Sequence, residues 1–363
     1  MSETLSNSLL INLAVLFAKP TGIATYAKNL INNLGDLNPT LLTAEKFNTF
    51  DCYPIPNNMT PAQGSRGHLR RLLWTQFQLP QIYRKLKANL IYSPLPEAPL
   101  YRNCRSIVMC HDLIPLRFGR ATSPLTNYFR HVVPSVLDQA EHIICNSQAT
   151  AKDIVDFYGV AAKKITPILL GYDAENFYPR TITSPACPYF LYLGRQDPYK
   201  NLQGLIAAFA SIANCQDYQL AIAGSPDDRF TPILKQQAVE LGISDRLIWL
   251  DYLDYQQLPA VISGAIALVF PTFWEGFGLT VLEAMACGTP VITSNLASLP
   301  EVTGDAAILI DPHNIKEITS AMESVAQDGK LRSHLSKLSL QRAKKFSWIK
   351  TGAASKQVLE QYL

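Results

Sequence analysis

Phe270-Pro271-Thr-Phe-Trp-Glu275-Gly-Phe-Gly278-Leu-Thr-Val-Leu-Glu283-Ala-Met-Ala-Cys-Gly288-Thr-Pro290 is the stretch from which the rest of the chain is read. A short apolar run, residues 267–270, leads into it and predicts a buried strand. A loop with Gly276 and Gly278 follows, then a helical pattern over residues 280–287. Strand, glycine turn and helix together make half of a βαβ unit. Glycines let backbone approach a ligand closely, and the free N–H groups of a helix start attract anions. A diphosphate fits there, contacted by the amides of Gly276, Phe277, Gly278, Leu279 and Thr280. Glu283, one turn into the helix, is placed to accept hydrogen bonds from ribose hydroxyls. Taken alone, such a turn is more often only tight packing than a phosphate site.

The same alternation continues in both directions. On the N-terminal side, residues 9–16, 90–93, 106–110 and 142–145 read as buried strands. Helical stretches at 24–34 and 124–139 lie between them, and Ser147 is placed to cap a helix running to about residue 157. Residues 171–188 carry three prolines and no periodic pattern, and read as an interdomain linker. A second series follows, with strands at 189–193, 219–223, 247–250, 267–270, 291–293 and 307–309. Helices are predicted at 202–211, 231–241, 257–262, 280–287 and 315–326. The prediction is an α/β protein of two parallel-sheet domains with a cleft between them, the usual place for a ligand.

Composition narrows the class. The 363 residues suit two domains, and a net charge of +3 is too small to argue for nucleic acid. The apolar runs at 9–18 and 262–270 are about half the length needed to span a bilayer. The first ten residues carry Glu3 and no Lys or Arg, unlike a signal peptide. Seven scattered cysteines without a CxxC pair read as reduced, mostly buried thiols of a cytoplasmic protein. Arg66, Arg70, Arg71, Arg84, Lys85 and Lys87 crowd one segment, which reads equally as a solvated face or as a membrane- or phosphate-facing patch.

Further motifs sit at strand ends. Gly194-Arg195-Gln-Asp-Pro-Tyr-Lys200 follows the strand at 189–193 and sets two cations in what reads as an exposed loop. An Arg fork can bridge two phosphate oxygens, and a Lys adds a compact charge. Lys19-Pro-Thr-Gly22-Ile-Ala-Thr-Tyr26 follows the first strand, and His111-Asp112 and Asn146-Ser147 end two others. No GxGxxG, GxxxxGK[ST] or GxSxG is present, so dinucleotide oxidoreductases, P-loop enzymes and α/β-hydrolases are not indicated. No Asp-x-Asp loop announces a metal-dependent transferase, since Asp227 and Asp228 are adjacent. The expectation is an enzyme without metal or cofactor.

The ordered string from Glu275 to Glu283 closely resembles the E-x7-E signature of the family-4 retaining glycosyltransferases, which have the GT-B fold of two Rossmann-like domains facing across a cleft. Gly288-Thr-Pro-Val-Ile, Ser298-Leu-Pro-Glu301 and Phe346-Ser-Trp348 resemble the family as well. The resemblance implies an acceptor-binding domain over residues 1–172, a nucleotide-sugar domain over 184–348, and a last helix, 349–363, crossing back onto the first. It implies that Arg195, Lys200 and Gly194 hold the donor diphosphate, that Glu275 orients the sugar, and that His111 contacts it. It places the base near Tyr252-Leu253, and Gly22 near the β-phosphate, although many relatives carry two glycines there. Arg71-Leu-Leu-Trp74-Thr-Gln76 resembles a stretch of bacterial polysaccharide mannosyl- and glucosyltransferases. With Tyr26 and Ser147, Arg71 becomes a candidate acceptor contact. The implied reaction is metal-independent hexosyl transfer with retention, by a front-face route, from UDP-glucose by preference or GDP-mannose. The acceptor is a glycan or lipid-linked glycan, with possible association at the inner face of the membrane. A sugar-nucleotide epimerase on the same fold, or a silent nucleotide-binding partner subunit, is the alternative.

Overall fold

The computed structural model describes residues 8–16, 22–101, 103–181, 187–213 and 218–363. The chain divides into two units, Met1–Gly171 with Trp348–Leu363, and Tyr172–Ser347. In the first, seven strands pair in the order β3-β2-β1-β4-β5-β6-β7. They are β1 (Leu9–Asn12), β2 (Thr40–Thr43), β3 (Asp51–Pro54), β4 (Leu90–Ser93), β5 (Ser106–Cys110), β6 (His142–Cys145) and β7 (Ile165–Pro167). Every pairing is parallel. The central β1, β4, β5 and β6 are buried along their whole length, as continuous apolar runs in a doubly covered sheet must be. Their positions follow from sequence, while β2, β3 and β7 do not. β3 is an exposed edge with a polar start and a terminal proline.

Three expectations are corrected. The first strand stops at Asn12, where the Asn12 side chain accepts from Ala14 N at 3.2 Å and turns the chain. The helix expected over 124–139 is two, Pro124–His131 and Val133–Gln139, because Pro134 cannot donate within a continuous helix. Among the six described free cysteines only Cys110, Cys145 and Cys287 are buried. Ser147 caps the Gln148–Tyr158 helix, accepting from Thr150 N at 3.0 Å. The Trp348–Glu360 helix packs on the first unit, where Thr351 Oγ1 donates to Leu169 O at 2.8 Å.

The second unit holds six parallel strands in the order β10-β9-β8-β11-β12-β13. These are β8 (Tyr189–Leu193), β9 (Gln219–Ala223), β10 (Leu247–Asp251), β11 (Leu268–Phe270), β12 (Val291–Ser294) and β13 (Ile308–Ile310). The stretch read as a linker is docked where it is described. Phe177 is buried, Asn176 Nδ2 donates to Tyr255 O at 3.2 Å, and Arg180 N donates to Ser263 Oγ at 3.1 Å. Irregular backbone satisfied by side chains explains why that segment has no period. Strand order reverses once in each sheet, between β1 and β4 and between β8 and β11. Ligands of open α/β sheets bind outside the carboxyl ends at such switch points.

Candidate active site

At the switch point of the second unit, the loops after β8 and β11 are tied together. Phe273 N donates to Tyr199 O at 2.8 Å, and Thr272 Oγ1 meets the same carbonyl at 3.1 Å. Tyr192 stacks on Phe270, and its hydroxyl donates to Arg195 O at 2.5 Å. The neighbouring strand ends join in: Gly194 N donates to Ala223 O, and Gly224 N to Asp251 O. A Cβ on Gly224 would lie 2.0 Å from Gly194 O, so only glycine allows these two loops to touch.

This framework brings Lys200 to Glu275. The two form an ion pair whose side chains are 11% and 13% exposed. Lys200 is therefore not the solvent-facing loop cation expected from sequence. It ends a short 3-10 turn, Pro198–Lys200, with its ammonium over the Phe270 and Tyr199 rings. Arg195 does face solvent, with a 74% exposed side chain, and pairs with Asp197 at 2.8 Å. Sequence reasoning missed Arg229, after β9. It fixes Asp227, whose carboxyl it holds down at about 2, with the charge of Arg195 acting in the same sense. The signal for Arg229 was its place beyond a strand adjoining the switch.

The loop after β11 leads into the Leu279–Ala286 helix through Gly278, at φ 97°. A side chain there would be strained, and its Cβ would meet Leu299 Cδ2 at 2.6 Å. No side chain caps this helix. The amides of Phe277, Gly278, Leu279 and Thr280 have no acceptor among the described residues. The buried Ser298 hydroxyl braces the loop, 3.0 Å from Glu275 O and 2.9 Å from Phe277 O. Glu283 is half-buried beside Asp173 and Tyr255, neither of which was singled out from sequence. Burial pushes its carboxyl up to about 8, and the Asp173 charge adds to the shift. Tyr252 is 48% exposed just beyond β10, with Leu253 half-buried beside it.

In the first unit, His111 follows β5 and its Nε2 donates to Pro94 O at 3.0 Å. Burial lowers this imidazole to about 4, so it is neutral over the physiological range. Tyr26 meets the ring edge-on at 4.9 Å. Tyr26 is itself only 1% exposed, with its hydroxyl against that of Tyr92, so it is a core side chain where an acceptor contact was expected. Gly22 is exposed at the start of the Gly22–Ile31 helix, and residues 17–21 before it lie outside the described residues. Ser147 is wholly buried and its hydroxyl is engaged as the helix cap. Arg71 is buried and paired with Glu97, which places it inside the unit and not on an acceptor-facing surface.

Residues 182–342 match the family model described as Glycosyl transferases group 1, and residues 20–176 match Glycosyltransferase Family 4. The chain is also 33% identical to an O-antigen chain mannosyltransferase B of Escherichia coli, over 90% of this chain and 93% of the relative. It belongs to the family 4 glycosyltransferases. This glycosyltransferase is 25% identical to the O-antigen chain mannosyltransferase RfbU of Salmonella typhimurium, over 88% of its own length and 91% of the relative. Its fold is shared with sucrose-phosphate synthase from Thermosynechococcus elongatus, at a TM-score of 0.76, 20% identity and 98% coverage of both chains. The Anabaena HepE protein, solved in complex with UDP-glucose, also superposes with a TM-score of 0.76, at 17% identity, over 98% of this chain and 99% of its own.

Proposed function

We propose that this glycosyltransferase moves a hexose, with retention and without a metal, from a nucleoside diphosphate in the second unit to a growing polysaccharide or lipid-linked glycan. The observation that carries this reading is the Lys200–Glu275 pair beside an uncapped helix start and the exposed Arg195. Departure of the nucleoside diphosphate adds one negative charge to the leaving group. Arg195 meets it with a fork, Lys200 with a point charge, and the amides of residues 277–280 with preorganised dipoles. The diphosphate then competes with Glu275 for Lys200, which frees the Glu275 carboxylate for sugar hydroxyls. Glu283 takes the ribose, and the neutral His111 the transferred sugar. The names of the two O-antigen relatives favour mannose, so GDP-mannose moves ahead of the UDP-glucose preferred on sequence; the HepE complex keeps UDP-glucose in the comparison. Assaying both donors with a mannose-terminated acceptor, and reading the new anomeric centre by NMR, tests donor and stereochemistry together. An inverted product refutes the retaining reading.

Work at an anionic lipid surface is supported by the Gly64–Phe77 helix. Leu69, Leu73 and Phe77 are 57%, 50% and 56% exposed, and Arg66 and Arg70 are exposed beside them. At 3.6 residues per turn these five share an arc of about 100°. Residues 52–96 contain no Asp or Glu. Apolar side chains interleaved with snorkelling cations suit the bilayer interface, where each cation is worth about 1 kcal/mol. Co-sedimentation with phosphatidylglycerol vesicles, but not with phosphatidylcholine vesicles, is the expected result. Leu73→Asp should abolish it, and equal sedimentation with both vesicles contradicts an electrostatic component.

A further inference from the structure

The segment between β4 and β5 contains Pro94, Pro96 and Pro99 and is irregular over its described residues, 94–101 and 103–105. Prolines give no N–H to a ladder, so side chains must fix such a segment. Here they do so from two helices. From the Gly64–Phe77 helix, Arg71 grips Glu97 with both arms of its fork, Nε to Oε2 at 2.7 Å and Nη2 to Oε1 at 2.8 Å. Its remaining nitrogen, Nη1, donates to Met59 O at 2.9 Å, and Nη2 also donates to His68 Nδ1 at 2.9 Å. One turn on, Gln76 Nε2 donates to Ala98 O at 3.0 Å, and its Oε1 accepts from Leu100 N at 2.9 Å. From the Pro124–His131 helix, Tyr128 donates to Pro96 O at 2.8 Å. At the start of this clamped loop, Pro94 O accepts the hydrogen bond from His111 Nε2.

We propose that the buried Arg71–Glu97 pair is a positioning device for His111, setting through residues 94–97 the carbonyl that fixes the imidazole's orientation and tautomer. The two side chains are 6% and 4% exposed. An ion pair so deeply buried adds little stability over an apolar pair of the same volume, because desolvation offsets the attraction. What it adds is geometry: a planar fork against a carboxylate defines both distance and direction. A carbonyl accepts only, so its contact requires the proton on Nε2 and leaves the Nδ1 lone pair for a ligand hydroxyl. The helix that carries Arg71 also carries the exposed face formed by Leu69, Leu73 and Phe77, so one element both shows that face and holds the loop. Arg71 and Glu97 act through His111, and the catalytic part of this inference rests on the proposed contact between His111 and the sugar.

The test uses Arg71→Lys, which keeps the charge and removes the fork, and Tyr128→Phe, which removes one loop anchor without exposing a buried charge. Imidazole nitrogen shifts of His111, read by NMR without donor, report the tautomer. Wild type should show a single Nε2–H form. Arg71→Lys should show a mixture, with transfer at saturating donor lower by about 10- to 100-fold and nucleotide affinity unchanged within about twofold. Tyr128→Phe should move the same signals less, and it carries the test if Arg71→Lys does not fold. Unchanged His111 shifts in a folded variant overturn the proposal. Altered shifts with undiminished transfer leave the positioning in place and refute the sugar contact of His111.

Discussion

Lys200 and Glu275, separated by 75 positions in the chain, meet as an ion pair with both side chains largely buried. The relationship exists because β8 and β11 are neighbours at the point where strand order reverses, so their following loops share one space. It also changes what a substitution at Lys200 does.

Arg195→Ala removes an exposed cation and should leave melting unchanged while lowering turnover by about two orders of magnitude. Lys200→Ala should lower turnover as much and also destabilise the fold by about 3 kcal/mol, because Glu275 is left buried and unpaired. Thermal melting of both variants beside wild type decides the point. Equal melting temperatures for Lys200→Ala and wild type contradict the structural half of this account.

Glu283 and Glu275 should separate by function. Below about pH 8 the unliganded Glu283 carboxyl holds its proton, whereas a ribose diol needs an acceptor. Binding nucleoside diphosphate at pH 7 should therefore release close to one proton that Glu283→Gln does not release, along with a loss of affinity. Glu275→Gln should impair transfer with affinity nearly unchanged. Calorimetry in buffers of different ionisation enthalpy measures both, and the same proton count for wild type and Glu283→Gln contradicts the assignment.

His111 makes acid stability a second reporter. Its folded value of about 4 lies below the unfolded 6.5, so between these pH values the unfolded chain binds more protons and folding weakens as pH falls. Wild type should lose about 3 kcal/mol from this group between pH 7 and pH 4. His111→Gln should lack that loss, and denaturant midpoints across the range give the comparison. Parallel curves for the two proteins would mean that His111 is not desolvated.

Much of this was legible in the chain itself. Buried parallel strands announce themselves as apolar runs, and nine of the ten expected start and end within a residue of their sequence positions, β1 being the exception. The loop after β11 was legible because glycine, uncapped helix and glutamate spacing occur in one continuous string. Partnerships across distant segments were not. Nothing local marks Lys200 as buried, Arg71 as Glu97's partner, or Asp173 and Tyr255 as neighbours of Glu283. Those follow from strand order, which a period of two or 3.6 does not encode. Tyr26 misled for a related reason: a tyrosine on an amphipathic helix looks alike whether its hydroxyl reaches water or Tyr92.

The most direct test of the central claim is the transfer rate at saturating donor in excess chelator, for wild type and Arg195→Ala side by side. If protein cations and backbone amides carry the charge of the departing diphosphate, wild type should be as fast with chelator as without. Arg195→Ala should be slower by about 100-fold in both conditions. Wild-type transfer abolished by chelator and restored by Mg²⁺ or Mn²⁺ would contradict the account.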